Sequence, residues 1–109
     1  MHLAFTTRRL RDLCEDDKAA RRFYPPVLVE VLEARLADLR AADSILDLPV
    51  GAPTMESSSP AVIVVSLVDG YQLVFEINDQ SPPRTPAGEI DVARVRRLKL
   101  REIRGGGAE

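Results

Sequence analysis

The segment over residues 61–77 constrains this chain more than any other. Two runs of β-branched, aliphatic and aromatic residues flank Asp69 and Gly70. An Asp-Gly pair supplies the positive φ angles that a tight turn demands, so the segment reads as a β-hairpin. Side chains alternate along a strand. Tyr71, Leu73, Phe75 and Ile77 therefore share one face of the return strand, and Gln72, Val74 and Glu76 share the other. The outgoing strand is apolar on both faces from Val62 to Val65, the pattern of a central, covered strand. A lone hairpin is marginal in water, so another element must cover it.

The natural cover is a helix predicted over residues 27–42. Pro25 and Pro26 precede it, and proline suits a first helical turn, where its missing N–H costs nothing. Leu28, Leu32, Leu36 and Leu39 make one stripe, flanked by Val31 and Arg35, while Glu30, Glu33, Asp38 and Arg40 are left for water. Burying each leucine contributes roughly 1.5–3 kcal/mol before entropy is counted. Upstream, residues 2–6 read as a short strand with Leu3 and Phe5 on one face. Thr7 caps a short helix over residues 8–14, where Leu10, Leu13 and Cys14 recur at helical spacing. Residues 15–18 are polar and suit a bend or the start of a further turn.

Beyond the long helix, residues 43–53 form a connector anchored by Ile45, Leu46 and Leu48, and Met55 opens an edge strand. Residues 57–60 turn into the hairpin. Residues 78–89 hold three prolines and a glycine and read as an exposed loop. Asp91 caps a single turn over residues 92–94. Residues 95–103 read as a final strand, with Leu98 and Leu100 on one face and Arg97, Lys99 and Arg101 on the other. Glycines 105–107 are expected to fray. Strands and helices segregate along the chain. The expectation is an α+β fold, two N-terminal helices on a small, mainly antiparallel sheet.

With 109 residues the chain suits one domain over residues 1–104, followed by a flexible tail over residues 105–109. The net charge of −2 counts against a general nucleic-acid binder and leaves room for a local basic patch. Cys14 stands alone, so no internal disulfide forms and a reducing, cytoplasmic setting is expected. No signal peptide or membrane span is expected. One His and one Cys leave no credible zinc site, and no phosphate-binding or hydrolase motif is present, so no cofactor or metal is expected. His2 reads as a terminal residue, Tyr71 as core or interface, and Cys14 as a small core residue. Arg8, Arg9 and Arg11 read as the outer face of the first helix. Arg97, Lys99 and Arg101 either grip phosphates or form a solvated strand face.

In order and spacing these pieces resemble the RelE/ParE superfamily of bacterial toxins, most closely its HigB-like killer branch. The residues that carry the likeness run from Phe5 to Glu15, from Arg35 to Asp43 and from Asp47 to Gly51. They continue from Asp69 to Phe75 and from Gly88 to Asp91, and end at Glu102 and Ile103. The resemblance implies the toxin half of a type II toxin–antitoxin pair. It implies a helix-turn-helix antitoxin as partner, and either metal-independent, ribosome-dependent mRNA cleavage or a protein target such as gyrase.

The chain departs from that pattern. Gln72 stands where the family's strand carries Arg, neutral serines precede the hairpin, and glycines replace the family's polar ending. Cleavage of RNA by its 2′-hydroxyl needs a proton acceptor, a proton donor and positive charge at the phosphate. The residues left to supply it are Arg97, Lys99 and Arg101, gathered around Gln72. Two readings stay open: a ribosome-dependent endoribonuclease toxin, and a toxin-fold protein that has lost its chemistry and only binds proteins.

Overall fold

The computed structural model describes residues 1–58 and 60–105. The turn expected over residues 57–60 thus has Ser59 outside the described residues, as is the tail from residue 106 onward. The strands are β1 (His2–Phe5), β2 (Thr54–Ser58), β3 (Ala61–Ser66), β4 (Gln72–Ile77) and β5 (Arg97–Arg104). They form one sheet in the order β1-β5-β4-β3-β2. Only β1 against β5 is parallel; the other neighbours are antiparallel. The fold is α+β as expected, but three helices precede β2, not two. They are α1 (Arg8–Glu15), α2 (Asp17–Phe23) and α3 (Pro26–Ala41).

The extra helix, α2, starts inside residues 15–18, the polar stretch that reads as a bend or the start of a further turn. It runs on to Phe23 through residues that carry no expected element. Asp16 makes it possible. Its backbone N–H closes α1 on Asp12, and its carboxylate accepts from the N–H groups of Lys18 and Ala19 at 3.0 and 3.4 Å. Only Ala20 of the seven α2 residues is buried, so the helix leaves almost no apolar periodicity to read.

Helix α3 places its stripe as expected. Leu28, Leu32, Leu36 and Leu39 are buried, joined by Val29. Leu32, Leu36 and Leu39 pack in one core with Ile63 and Val65 of β3, Leu73 and Phe75 of β4, and Leu98 and Leu100 of β5. The helix ends under the start of the chain. The Met1 ammonium donates to the carbonyls of Leu39, Arg40 and Ala42 at 3.1, 3.0 and 2.8 Å. Positive charge at a helix C-terminus is favoured by the exposed carbonyls and the negative end of the helix dipole there.

At the hairpin, Tyr71 N–H donates to Val68 C=O at 3.0 Å, around Asp69 and Gly70. Both central residues have positive φ, 56° and 79°, as a hairpin turn of this kind requires. The return strand begins at Gln72, one residue later than the sequence suggests. In the connector Ile45 is buried and Leu48 half-buried, but Leu46 is exposed and anchors nothing. The proline-rich loop is ordered by its own hydrogen bonds, including Thr85 N–H to Glu89 C=O at 2.7 Å and Asp91 N–H to Pro83 C=O at 2.9 Å.

Candidate functional site: the outer face of the sheet

The helices cover one face of the sheet. The other carries every residue singled out for chemistry on β4 and β5. Strand pairing fixes who meets whom. Lys99 lies opposite Glu76, and Leu98 opposite Ile77. Between Val74 and Phe75 the register slips, and Arg101 is the extra residue on β5. This bulge keeps Ile103 turned to the core beside Leu73, and it sets Arg104 opposite Gln72. Unbroken alternation along β5 cannot show this shift.

Gln72 therefore meets Arg104, whose guanidinium donates to its side-chain oxygen at 3.3 Å. That guanidinium is already engaged. It reaches over β4 and β3 to Glu56 on β2, with two hydrogen bonds of 2.8 and 3.0 Å. Glu102 lies 3.7 Å from its Nε. The hydrogen bonds from Arg104 hold the Glu56 carboxyl below its ordinary value of 4.5, and the same pairing raises Arg104. Beneath the pair, Val62, Val64 and Val74 form an apolar cluster of their own, each at most 5% exposed. No helix covers these valines; the long side chains above them do.

Arg101 lies 4.0 Å from Glu76, and both side chains are more than two-fifths exposed. Arg97 is exposed and Lys99 half-buried, and neither forms an ion pair with a described residue. The Arg97 backbone is held: its N–H and that of Arg96 donate to the Asp79 carboxylate at 2.8 and 3.2 Å. The face thus carries Gln72, Arg97, Lys99 and Arg101 on one surface but does not gather the three cations around Gln72. Gln72 meets Arg104, while Lys99 stands four residues along β4, opposite Glu76. Glu76 answers Arg101, and Glu56 and Glu102 answer Arg104.

No protein-family model, curated protein or solved structure matches this chain. The chemistry of the face therefore rests on its own geometry.

Of the other candidates, His2 stands exposed at the β1 edge of this face, beside Arg97 in the strand register and far along β5 from Gln72; Tyr71 and Cys14 lie apart from it. Tyr71 is half-buried at the hairpin end, edge-on to Tyr24 with ring centres 5.9 Å apart. Cys14 is buried, and burial pushes its thiol up to about 12, far from a nucleophile's range. Among the described residues no three His, Cys, Asp or Glu side chains gather as a metal-ligand group. No described helix is long and apolar enough to cross a membrane.

Sequence reasoning missed Glu56 and Arg104, which dominate the face. They are far apart in the chain, and only the sheet order brings them together. It also missed Arg35, which is 9% exposed. Its Nε donates to Ser66 C=O at 3.2 Å, and Asp38 lies 3.8 Å from the guanidinium. Helical periodicity placed it only on the flank of the leucine stripe.

Proposed function

We propose that the protein is the toxin-fold member of a type II toxin–antitoxin pair, of RelE/HigB type, and that it acts by binding protein partners instead of cutting RNA. The support for the family is the resemblance of motif order, together with helices on one face of a mainly antiparallel sheet. The support for binding without cleavage is one observation. The guanidinium nearest Gln72 is hydrogen-bonded twice to Glu56 and flanked by Glu102. A cation so engaged must break charge-assisted hydrogen bonds before it meets a phosphate. The one imidazole of the chain, His2, stands on β1 beside Arg97, at the opposite end of β5 from the Arg104 that meets Gln72, so no imidazole is placed to move a proton at Gln72.

The partner in this reading is a helix-turn-helix antitoxin encoded beside the gene, docking on the outer face where Arg97 and Lys99 offer positive charge to acidic side chains. Co-expression with the adjacent reading frame and affinity purification at low salt tests it. Co-purification that weakens in Arg97→Glu/Lys99→Glu is the expected result. Failure to co-purify with the adjacent product at low salt contradicts the partner assignment.

A second reading, ribosome-dependent mRNA cleavage, is favoured by the two cations that remain without ion pairs, Arg97 and Lys99. If it holds, the triple variant Arg97→Ala, Lys99→Ala, Arg101→Ala loses activity, since one preorganised cation contributes about 10²–10³ in rate.

A further inference from the structure

On the other side of the molecule a shallow hollow of about 400 Å³ opens between α1 and α2. Its rim holds Arg8, Arg9 and Arg22, and its floor Leu13, Ala19 and Phe23. Asp12 is the single carboxylate among its lining residues. None of the three arginines forms an ion pair with a described residue, although Arg21, next in sequence to Arg22, is fully engaged with Asp17 at 2.8 Å. The first turn of α1 contains no acidic side chain, so the positive end of the helix adds to the arginine charge. Phe23 is 59% exposed, a large apolar area for a protein to leave in water.

We infer that this hollow is a docking site for an acidic peptide segment that carries a bulky apolar side chain. The apolar side chain lies on Leu13 and Ala19 and against the part of the exposed Phe23 ring that Arg9 leaves open, and carboxylates on either side of it meet the three arginines. Planar guanidinium groups pair carboxylates two hydrogen bonds at a time. An apolar floor ringed by charge is the arrangement of a protein-binding patch, and arginine and aromatic residues are enriched in such patches. A single-stranded nucleic acid has the right charge but fits the aromatic group poorly. Arg9 already lies over the Phe23 ring, 4.7 Å from its centre, and Tyr24 meets that ring edge-on at 4.9 Å. A base has to displace Arg9 from that side to stack there. The chain's net charge of −2 also repels a long polyanion beyond the patch itself. The inference is independent of the toxin reading, since it uses neither the sheet's outer face nor any RNA chemistry.

Panning the full chain against a display library of random dodecapeptides tests it. The expected winners place Asp or Glu on both sides of Leu, Phe or Trp. A synthetic winner perturbs backbone amide shifts in α1 and α2, and its affinity falls with added salt. The double variant Arg9→Gln/Arg22→Gln weakens it by a factor of about 2 to 25, because each exposed ion pair contributes a factor of about 1.5 to 5. Both arginines are exposed, and an unchanged melting temperature confirms the fold; if it drops, Arg22→Gln alone is the variant to read. A selection without acidic bias, no binders at all, or winners that ignore the variant overturn the assignment. Tighter binding of an oligouridylate than of any selected peptide, lost in the same variant, also overturns it and makes the hollow a nucleic-acid site.

Discussion

Gly51 and Arg35 decide how the connector meets the sheet. Gly51 has a φ of +108°, and a Cβ there would lie 2.9 Å from Val65 and 3.0 Å from the Arg35 side chain. Its carbonyl accepts from Ser66 N–H at 2.7 Å, while Arg35 donates to the Ser66 carbonyl. Both strain and crowding oppose a side chain at 51, so Gly51→Ala is expected to destabilise by about 1–3 kcal/mol in denaturant unfolding. A change below about 0.5 kcal/mol would mean that the connector relaxes freely. Cys14 gives a second test at this scale. Its folded pKa is raised from 9.0 to about 12, chiefly by burial. The stability it contributes is therefore whole below pH 9 and lost as pH rises from 9 toward 12. Cys14→Ala should flatten the alkaline decline in stability, although it also removes a small core group. Unfolding at pH 8 should expose the thiol to a disulfide reagent that the native protein resists. Fast reaction in the native state would contradict the burial. The cysteine's place in the core was legible from its spacing with Leu10. The burial of Arg35 was not, because the Gly51 loop that closes over it lies elsewhere in the chain.

Among the elements, α3 is the one on which the core depends most. Leu32 and Leu36 are each 1% exposed against β3 and β4. Leu32→Ala or Leu36→Ala should each cost about 2–5 kcal/mol by urea unfolding. A loss under half of one kcal/mol at both sites would place that helix face in water, contrary to the packing. Thr7, whose hydroxyl accepts from Leu10 N–H at 3.1 Å, should cost about 1 kcal/mol when replaced by Ala. Helix α3, the hairpin turn and the core face of β5 were legible because each depends on residues near one another in sequence. The bulge at Arg101 was not, since it follows from the need to keep both Leu100 and Ile103 against the core. The existence of α2 was hidden for the opposite reason: its stability comes from the Asp16 cap and the Asp17–Arg21 pair, with one small buried residue to mark it.

In the whole molecule, the sheet has two unlike faces. One packs leucines under helices; the other seals three valines beneath an ion pair that spans the strands from β5 to β2. The outer pair makes part of the fold sensitive to acid. Glu56 has a folded pKa below its ordinary 4.5, so its contribution is present above pH 4.5 and lost as pH falls through the lower folded value. The stability gap between the wild type and Glu56→Gln should narrow over that range, and salt should narrow it too. A gap that is constant with pH would show that the pair contributes nothing. The same pair bears on function, because it engages the cation opposite Gln72. The sequence made the basic strand and Gln72 visible, but not the carboxylates that answer them, since these come from three different strands. Primer extension on translating ribosomes tests the binding reading most directly. The engagement of Arg104 by Glu56 and Glu102 predicts no ribosome-dependent cuts with the wild type, and cuts no stronger with Arg97→Ala, Lys99→Ala, Arg101→Ala. Robust wild-type cleavage, lost in that triple variant, would contradict it and establish the outer face as an RNA-cleaving site.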